Sequence, residues 1–175
     1  MKNKLKASLL FGAVFLSVGV SANLASEWHI EDMSKSTGYV VDGAASAHQF
    51  GLVKHSNTCG NDEVYLSWSS NSSDIWSLAG KTITMNANFN GVSIPMPLEV
   101  VAIKPLKGNS HQVIMGHVFA NSELLDLMRQ AHSVEVLMPS IGDTSRHFSV
   151  GGDSFILSGF TEARSQAFNR CQTQS

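Results

Sequence analysis

The chain has 175 residues, and its 12 lysines and arginines against 14 aspartates and glutamates leave a formal charge of −2 at pH 7. This mildly acidic balance, without basic clusters in the body of the chain, argues against nucleic acid or an anionic membrane surface as a partner. The length suits one domain with a hydrophobic core of its own.

Residues Met1–Ala22 have the pattern of a secretory signal peptide. Lysines at positions 2, 4 and 6 precede an apolar run from Ala7 to Val20, and small residues follow at the positions that a signal peptidase reads. A membrane anchor is the alternative, but the apolar run is short for a span. We therefore expect cleavage near Ala22, no membrane span in the mature protein, and a single β-rich domain over residues 23–175 in the periplasm or outside the cell.

The chain has two cysteines, Cys59 and Cys171, which lie far apart in the sequence. Two cysteines in an exported protein indicate a disulfide more often than free thiols. A redox-active thiol is the alternative, but Cys59 has neither a C-x-x-C partner nor a basic neighbourhood. We therefore expect a structural disulfide that ties the C-terminal unit to the early part of the fold.

The early part of the mature chain is predicted to form strands. Apolar and polar residues alternate in Glu27–Met33 and in Glu63–Ser69, as is typical of half-buried strands. Val64, Leu66 and Trp68 share one face of the second segment. Two weaker extended patterns lie at Gly38–Val41 and His48–His55. Polar turns are expected at 56–62 and 69–74.

The clearest local structure is a β-hairpin over Thr82–Pro97. Asn90-Gly91 supplies the two residues with positive φ that a type I′ turn requires. With that turn, apolar residues face one another across the strands in the pairs Phe89 with Val92, Ala87 with Ile94 and Met85 with Met96, so register and apolar face agree. Pro95 and Pro97 cannot donate a backbone hydrogen bond, which indicates that the second strand is an edge or ends there.

After the hairpin, the chain is predicted to form two strands, a helix and a further strand. The helix covers Asn121–His132, where Asn121 or Ser122 can cap the first turn. Glu123 comes early and Arg129 late, in the order that the helix dipole favours. The strands are expected at Leu98–Lys104, Gln112–Phe119 and Val134–Met138.

The closing unit, Ser145–Cys171, is predicted to form a strand, a glycine turn, a second strand and a helix. Gly151-Gly152-Asp153 marks the turn, Gly159 lets the chain swing into the helix, and Thr161 is the expected cap. Helical spacing predicts one buried face that contains Phe160, Ala163, Ala167, Phe168 and Cys171. Many short strands with two short α-helices predict a mainly β fold, an antiparallel β-sandwich or open barrel closed by one disulfide.

Gly152-Asp153-Ser154 is similar to the nucleophile block of one class of secreted serine hydrolases. That block belongs near the start of an α/β domain, with its aspartate and histidine partners late in the chain, whereas only the tail follows here. The same residues suit a turn. We therefore expect no catalytic serine at Ser154.

The histidines provide no metal site that sequence spacing supports. His111 and His117 could share a strand face, but no acidic or cysteine partner lies at metal-ligand spacing, and His48 and His55 lack an H-E-x-x-H pattern. We expect surface histidines or buried ones with satisfied hydrogen bonds. No metal and no other cofactor is expected.

Carboxylates occur in two adjacent pairs, Glu31-Asp32 and Asp62-Glu63. Neighbours on a strand point to opposite faces, so neither pair forms the convergent carboxylates that glycoside hydrolysis requires. We expect solvated charges at both places.

Three tryptophans, Trp28, Trp68 and Trp76, could line a sugar-binding or partner-binding face. Trp68 continues a buried strand face and is expected in the core. Trp76 follows a polar loop and is the tryptophan expected to be exposed. Because exposed aromatic residues are enriched at interfaces, Trp76 is the candidate for a partner-binding surface.

Two blocks of the sequence resemble known families. Cys59 followed by Glu63–Trp68 resembles a cysteine and an "EVYxxW" strand. The segment from Arg146 to Ala163, followed by Cys171, resembles a closing "F-x-L-x-G-[FL]-x-x-A…C" block. Together they are similar to the periplasmic type VI secretion system-associated proteins, and the closing block alone resembles the invasion-associated locus B family. The chain lacks the cysteine-rich start typical of the invasion-associated group.

The resemblance implies a β-rich, disulfide-closed periplasmic accessory or binding protein, associated with secretion or virulence, with no catalytic residues to carry over. The matched residues of the closing block are packing residues, namely Phe155, Leu157, Gly159 and Phe160. We therefore expect a non-enzymatic protein whose partner is another protein, such as a secretion component, a toxin or an envelope protein. The alternatives are an inhibitor or immunity protein against a toxin or envelope hydrolase, and, less favoured, a secreted hydrolase.

Overall fold

The computed structural model describes residues 28–33, 35–139, 145–148 and 150–174, so the predicted signal peptide lies outside the described residues. Within these ranges the chain forms nine β-strands and two α-helices. The strands are β1 His29–Met33, β2 Ser36–Asp42, β3 Gln49–His55, β4 Glu63–Ser70, β5 Thr82–Phe89, β6 Val92–Pro105, β7 His111–Gly116, β8 Ser133–Leu137 and β9 Gly152–Ile156. The helices are α1 Ser122–Gln130 and α2 Phe160–Thr173. The predicted mainly β fold with two short helices is confirmed.

All nine strands pair antiparallel in one open sheet, in the order β1-β2-β3-β4-β7-β6-β5-β8-β9. The sheet curves until its two ends approach each other. Phe155 of β9 contacts Phe50 of β3 with ring centroids 5.7 Å apart, and Trp68 of β4 at 6.4 Å. Since β3 and β9 lie far apart in the sheet order, only strong curvature brings them together. One face of the sheet therefore encloses a core in which these three aromatic side chains are fully buried.

The hairpin of β5 and β6 has the predicted register, with Phe89 opposite Val92 and Met85 opposite Met96. Asn90 and Gly91 have φ of 50° and 89°, as the predicted turn requires. The strand that contains Pro95 and Pro97 does not end there, because β6 continues to Pro105. Pairing with β7 begins only at Glu99, so the prolines occupy the part of β6 that has β5 alone as a neighbour.

The closing unit differs from its predicted form. Asp153 and Ser154 lie inside β9, opposite Val136 and Glu135 of β8, and not in a turn between two strands. Phe148 follows a short 3-10 helix at Ser145–His147. The predicted strand–turn–strand hairpin is therefore wrong. β8 provides a free sheet edge for this segment, and pairing with that edge satisfies the backbone groups that a local hairpin would otherwise have paired.

Helix α2 packs against β1, β2 and β3. Its N-cap is Gly159, with φ of +86°, so the helix begins before the predicted cap at Thr161. Phe168 is 40% exposed, which corrects its predicted place on the buried face. The buried face consists of Phe160, Ala163, Ala167 and Cys171. Cys171 forms the predicted disulfide with Cys59, so the end of α2 is covalently joined to the segment that precedes β4.

Three of the four matched residues of the closing block lie in the core, as packing residues should, whereas Gly159 is exposed. Phe155 is fully buried, and Leu157 and Phe160 are each 2% exposed. In α1, the Asn121 side chain accepts a hydrogen bond from the Leu124 amide at 2.9 Å, which confirms the predicted cap. No helix in the described ranges is both long and apolar enough to cross a membrane.

Candidate functional site

The first candidate site is the Asp62 cluster, which consists of Tyr39, Lys54, Asp62 and Arg164. Asp62 Oδ1 accepts a hydrogen bond from the Tyr39 hydroxyl at 2.6 Å and lies 2.5 Å from Lys54 Nζ. Asp62 Oδ2 accepts from Arg164 Nε and Nη2 at 2.9 and 2.7 Å. The Lys54 and Asp62 side chains are each 1% exposed, whereas that of Arg164 is 30% exposed. One buried carboxylate is thus shared by two cations.

Burial raises the pKa of Tyr39 strongly, and the negative charge of Asp62 raises it further. Tyr39 therefore remains a neutral hydrogen-bond donor. Burial alone would lower the pKa of Arg164, but its hydrogen bond to Asp62 and the charge of that carboxylate raise the pKa overall. Because Arg164 stays charged and Asp62 balances one cation only, the Asp62 cluster retains a positive charge that reaches solvent through Arg164.

The elements of the sheet and α2 assemble this cluster. Tyr39 lies in β2, Lys54 in β3 and Arg164 in the second turn of α2, while Asp62 directly precedes β4. The prediction of solvated charges at Asp62-Glu63 is wrong, because Asp62 is 2% exposed and Glu63 forms a 2.6 Å hydrogen bond with His55. The one signal in the sequence was a lysine within an otherwise apolar strand pattern. Nothing in the sequence paired it with a residue of α2.

A groove of about 380 Å³ opens beside the Asp62 cluster, between α1, α2 and the segment before β4. We call it the basic groove; its lining is Lys54, Gly60, Arg129, Thr161, Arg164, Ser165 and Phe168. Arg129 forms an ion pair with Asp126. The ring of Phe168 lies 5.8 Å from Lys54 Nζ, in cation–π contact. The basic groove thus combines guanidinium groups, two hydroxyls and an exposed aromatic ring.

The second candidate site is the His48 relay, which consists of Ser69, His48 and Asp153. His48 Nδ1 lies 2.9 Å from Asp153 Oδ2, and His48 Nε2 lies 2.9 Å from Ser69 Oγ. The imidazole stacks on Trp68 with ring centroids 4.0 Å apart. Side chains of His48 and Asp153 are 0% and 5% exposed, while Ser69 is half-buried. The relay runs from the buried seam between β3 and β9 to a serine at its outer end.

Protonation states in the His48 relay follow from the surroundings of each group. Burial lowers the pKa of His48, which favours the neutral imidazole. Burial alone would raise the pKa of Asp153, but the backbone amides of Ala45, Ser154 and Ala44 and the ring of His48 donate to it and lower the pKa overall. An ionised carboxylate only accepts, so Nδ1 carries the proton and Nε2 accepts from the Ser69 hydroxyl. A serine polarised in this way is a candidate nucleophile.

The His48 relay contains residues from two of the sequence predictions, the one for His48 and the one for the Gly-Asp-Ser motif. His48 is a buried histidine with both ring nitrogens hydrogen-bonded, as the prediction of satisfied histidines allows. Of the Gly-Asp-Ser motif, Asp153 enters the relay, whereas the Ser154 side chain is exposed on β9. Sequence reasoning missed the relay because Asp153 lies 105 positions from His48. No local spacing connects residues that only the curvature of the sheet brings together.

The remaining candidates do not converge. His111 lies edge-on to Trp76 at 5.5 Å, and His117 lies beyond the end of β7, 3.3 Å from Glu99. In the part of the chain that the structure describes, no group of three or more histidine, cysteine or acidic side chains could hold a metal ion.

The three tryptophans lie in different surroundings. Trp68 is fully buried, as predicted, and Trp76 is 52% exposed. Trp28 is half-buried against Tyr39 and Phe160, at 6.0 and 5.6 Å. Because Trp68 is buried in the core, the three tryptophans do not form one exposed face. The role of Trp76 in partner binding stays a prediction.

No family model, no curated protein and no solved structure matches this chain. The family resemblance therefore stays a prediction, and the two candidate sites are the observations that bear on function.

Proposed function

We propose that this protein is a binding protein of the bacterial envelope, and that its basic groove holds an acidic segment of a partner protein. The observation that carries the proposal is the unbalanced Asp62 cluster. Two cations share the single carboxylate of Asp62, and the surplus charge is exposed through Arg164 on the groove wall. A carboxylate of a partner would supply the missing negative charge.

The lining of the basic groove favours a protein segment over a small inorganic anion. Arg164 offers a planar guanidinium, which matches the geometry of a carboxylate. Phe168 stands beside it with 40% of its surface exposed, although aromatic side chains are normally covered. An acidic residue next to an apolar or aromatic residue would therefore satisfy both features at once. Exposed aromatic residues and arginines are the residue types enriched at interfaces.

The sequence supports the proposed compartment of this protein and the proposed class of its partner. The signal peptide pattern and the disulfide support export to the periplasm or beyond. The resemblance to secretion-associated proteins supports a secretion component, a toxin or an envelope protein as partner. An inhibitor or immunity protein is the alternative, and it would use its surface to block an enzyme. The two differ in whether binding abolishes the activity of the bound partner.

The test measures binding of fluorescent peptides to the purified mature protein. Acidic peptides with one aromatic residue are compared with basic peptides of equal length by fluorescence anisotropy. We expect Arg164→Gln to weaken acidic-peptide binding at least tenfold and to reduce its salt dependence, because a charge contact at the groove is lost. Phe168→Ala, which removes no buried ion pair, should weaken binding as well.

Lys107→Gln is the matched control, since it removes one positive charge from an exposed loop position outside the basic groove. Thermal melting of each variant establishes that the fold is kept. Equal affinity for acidic and basic peptides, or an equal loss in the Lys107 and Arg164 variants, would contradict the proposal. Loss of binding in Trp76→Ala with the groove variants unaffected would instead place the interface at Trp76.

A further inference from the structure

We propose that the His48 relay is a catalytic site for hydrolysis of carboxylic esters, with Ser69 as nucleophile. The proposal does not depend on the basic groove, since none of the three relay residues lines it. It rests on the geometry of the relay, on which of its atoms carry protons, and on the cavity beside it.

The geometry matches what an acyl-transfer nucleophile requires. Ser69 Oγ lies within hydrogen-bond reach of a base, His48 Nε2, and the other ring nitrogen is held by a carboxylate. Two backbone amides, of Ala44 and Ala45, hold Asp153 at 3.1 and 3.0 Å. Stacking on Trp68 fixes the plane of the imidazole. Each member is thus oriented by a further contact, and little reorganisation is needed when charge develops on the imidazole.

The solvent exposure of each relay residue fits its proposed role. The base and the carboxylate are shielded from water, whereas Ser69 is half-buried at the outer end of the relay. A polar surface cavity of about 460 Å³ lies next to the relay, lined by the chain from Asp42 to Gln49 and by Gln112. Ser69 is not part of this lining, but its base His48 is, and so is Gln112, the residue opposite Ser69 across β4 and β7. Its small lining residues, Gly43 to Ala47, leave room for a compact acyl group.

The backbone next to the base is strained. Ala47 directly precedes His48 and has φ of 63°, a left-handed conformation that a non-glycine residue rarely adopts. The Ala47 carbonyl accepts a hydrogen bond from Ser67 Oγ at 2.8 Å, which holds the turn in place. Strain of this kind is concentrated at sites where a side chain has to be presented in one orientation. Here the turn presents His48 to Ser69.

The reaction balances with water as the only co-reactant. Ser69 Oγ attacks the ester carbonyl carbon while its proton passes to His48 Nε2, and Asp153 stabilises the imidazolium. Collapse of the tetrahedral intermediate breaks the carbon–oxygen bond to the leaving alcohol, which takes the proton from His48. Water then attacks the acyl-Ser69 ester, giving its proton to His48. The carboxylic acid leaves as Ser69 Oγ recovers that proton.

The experiment uses the purified mature protein, a fluorophosphonate probe and p-nitrophenyl acetate. We expect one phosphonyl adduct by intact mass, mapped to Ser69 by peptide sequencing, and ester hydrolysis above the uncatalysed rate. Ser69→Ala should abolish the adduct and lower hydrolysis about 10²-fold or more, since general-base assistance to the nucleophile is lost. Asp153→Asn should lower the rate of labelling while leaving Ser69 as the labelled residue.

Ser77→Ala is the control, because it makes the same chemical change at an exposed serine outside the relay. Melting curves establish that each variant is folded. A folded wild-type protein that forms no adduct and hydrolyses no ester above the Ser69→Ala background would overturn the proposal. So would an adduct at Ser154, the serine of the Gly-Asp-Ser motif. Peptide binding in the basic groove should be unchanged in Ser69→Ala, so failure of one proposal is distinguishable from failure of the other.

Discussion

Removal of the disulfide should lower the stability of this protein by an amount that its place in the chain determines. The bond joins Cys59 and Cys171 across 112 positions. Closing a loop of that length in the unfolded chain stabilises the folded state by about 5 kcal/mol at 25 °C in the chain-entropy treatment. For a domain of this size, each kcal/mol corresponds to a change of about 2–4 °C in Tm. We therefore expect Tm to fall by about 10–20 °C.

The perturbation is the double variant Cys59→Ala/Cys171→Ala, compared with the oxidised wild type by scanning calorimetry and urea unfolding. Reductant alone is a weaker test, because the two cysteines are only 5% and 0% exposed in the folded protein. Wild type unfolded in reductant and urea, then refolded and kept in reductant so that both thiols stay free, is the control for the substitutions themselves. Helix α2 keeps its apolar contacts through Phe160 and Ala167, so the variant should still fold.

Stabilisation by loop closure would be refuted if the oxidised wild type and the double variant had the same Tm while mass spectrometry showed the bond intact in the wild type. A small decrease in Tm, with faster hydrogen exchange confined to the amides of α2, would also contradict it. In that case the bond would be stabilising the helix end locally and not the closure of the whole fold.

Two further predictions concern the turn of the β5–β6 hairpin and the pH dependence of stability. Gly91→Ala should cost about 1 kcal/mol in urea unfolding, because Gly91 has φ of +89° and nothing crowds its Cβ position, so only backbone strain acts. Gly60→Ala is the matched control with no such φ and an equally open position, and an equal loss there would contradict the explanation. The pKa of folded His48 is lowered from its ordinary 6.5, so the unfolded state binds a proton first and the unfolding free energy should decline as pH falls below about 6.5. The pKa of folded Asp153 is lowered from 3.8, so a further decline in the unfolding free energy is expected below that pH. If a His48→Gln variant kept the same slope of unfolding free energy below pH 6.5, the assignment of the first decline to His48 would be refuted.

Local patterns in the sequence predicted local structure well. The Asn90-Gly91 turn sets the register of its hairpin, because turn geometry and apolar alternation are both short-range properties. The cap at Asn121 was predictable for the same reason, since the side chain bonds to an amide only three residues away. Burial of Trp68 followed from the alternation of its own strand.

The errors arose where a distant element decides the outcome. The segment at 151–154 resembles a turn, but the free edge of β8 pairs with it as a strand. Phe168 has apolar spacing with the buried residues of α2, yet it lies at the margin of the face that β1, β2 and β3 cover. Helical spacing identifies an apolar stripe but not the width of the surface that packs on it.

The sequence by itself determined the fold class, the disulfide partners and the hairpin of this protein, because each depends on composition or on residues close together in the chain. Only the tertiary structure decided where charge and reactivity lie. Arg164 reaches Asp62 across 102 positions, and Asp153 reaches His48 across 105. Such pairs leave no periodic signal, since they form only when the nine-stranded sheet curves and α2 closes over β1, β2 and β3. The closing unit, for which the sequence predicted a turn, is therefore the source of one partner in each candidate site.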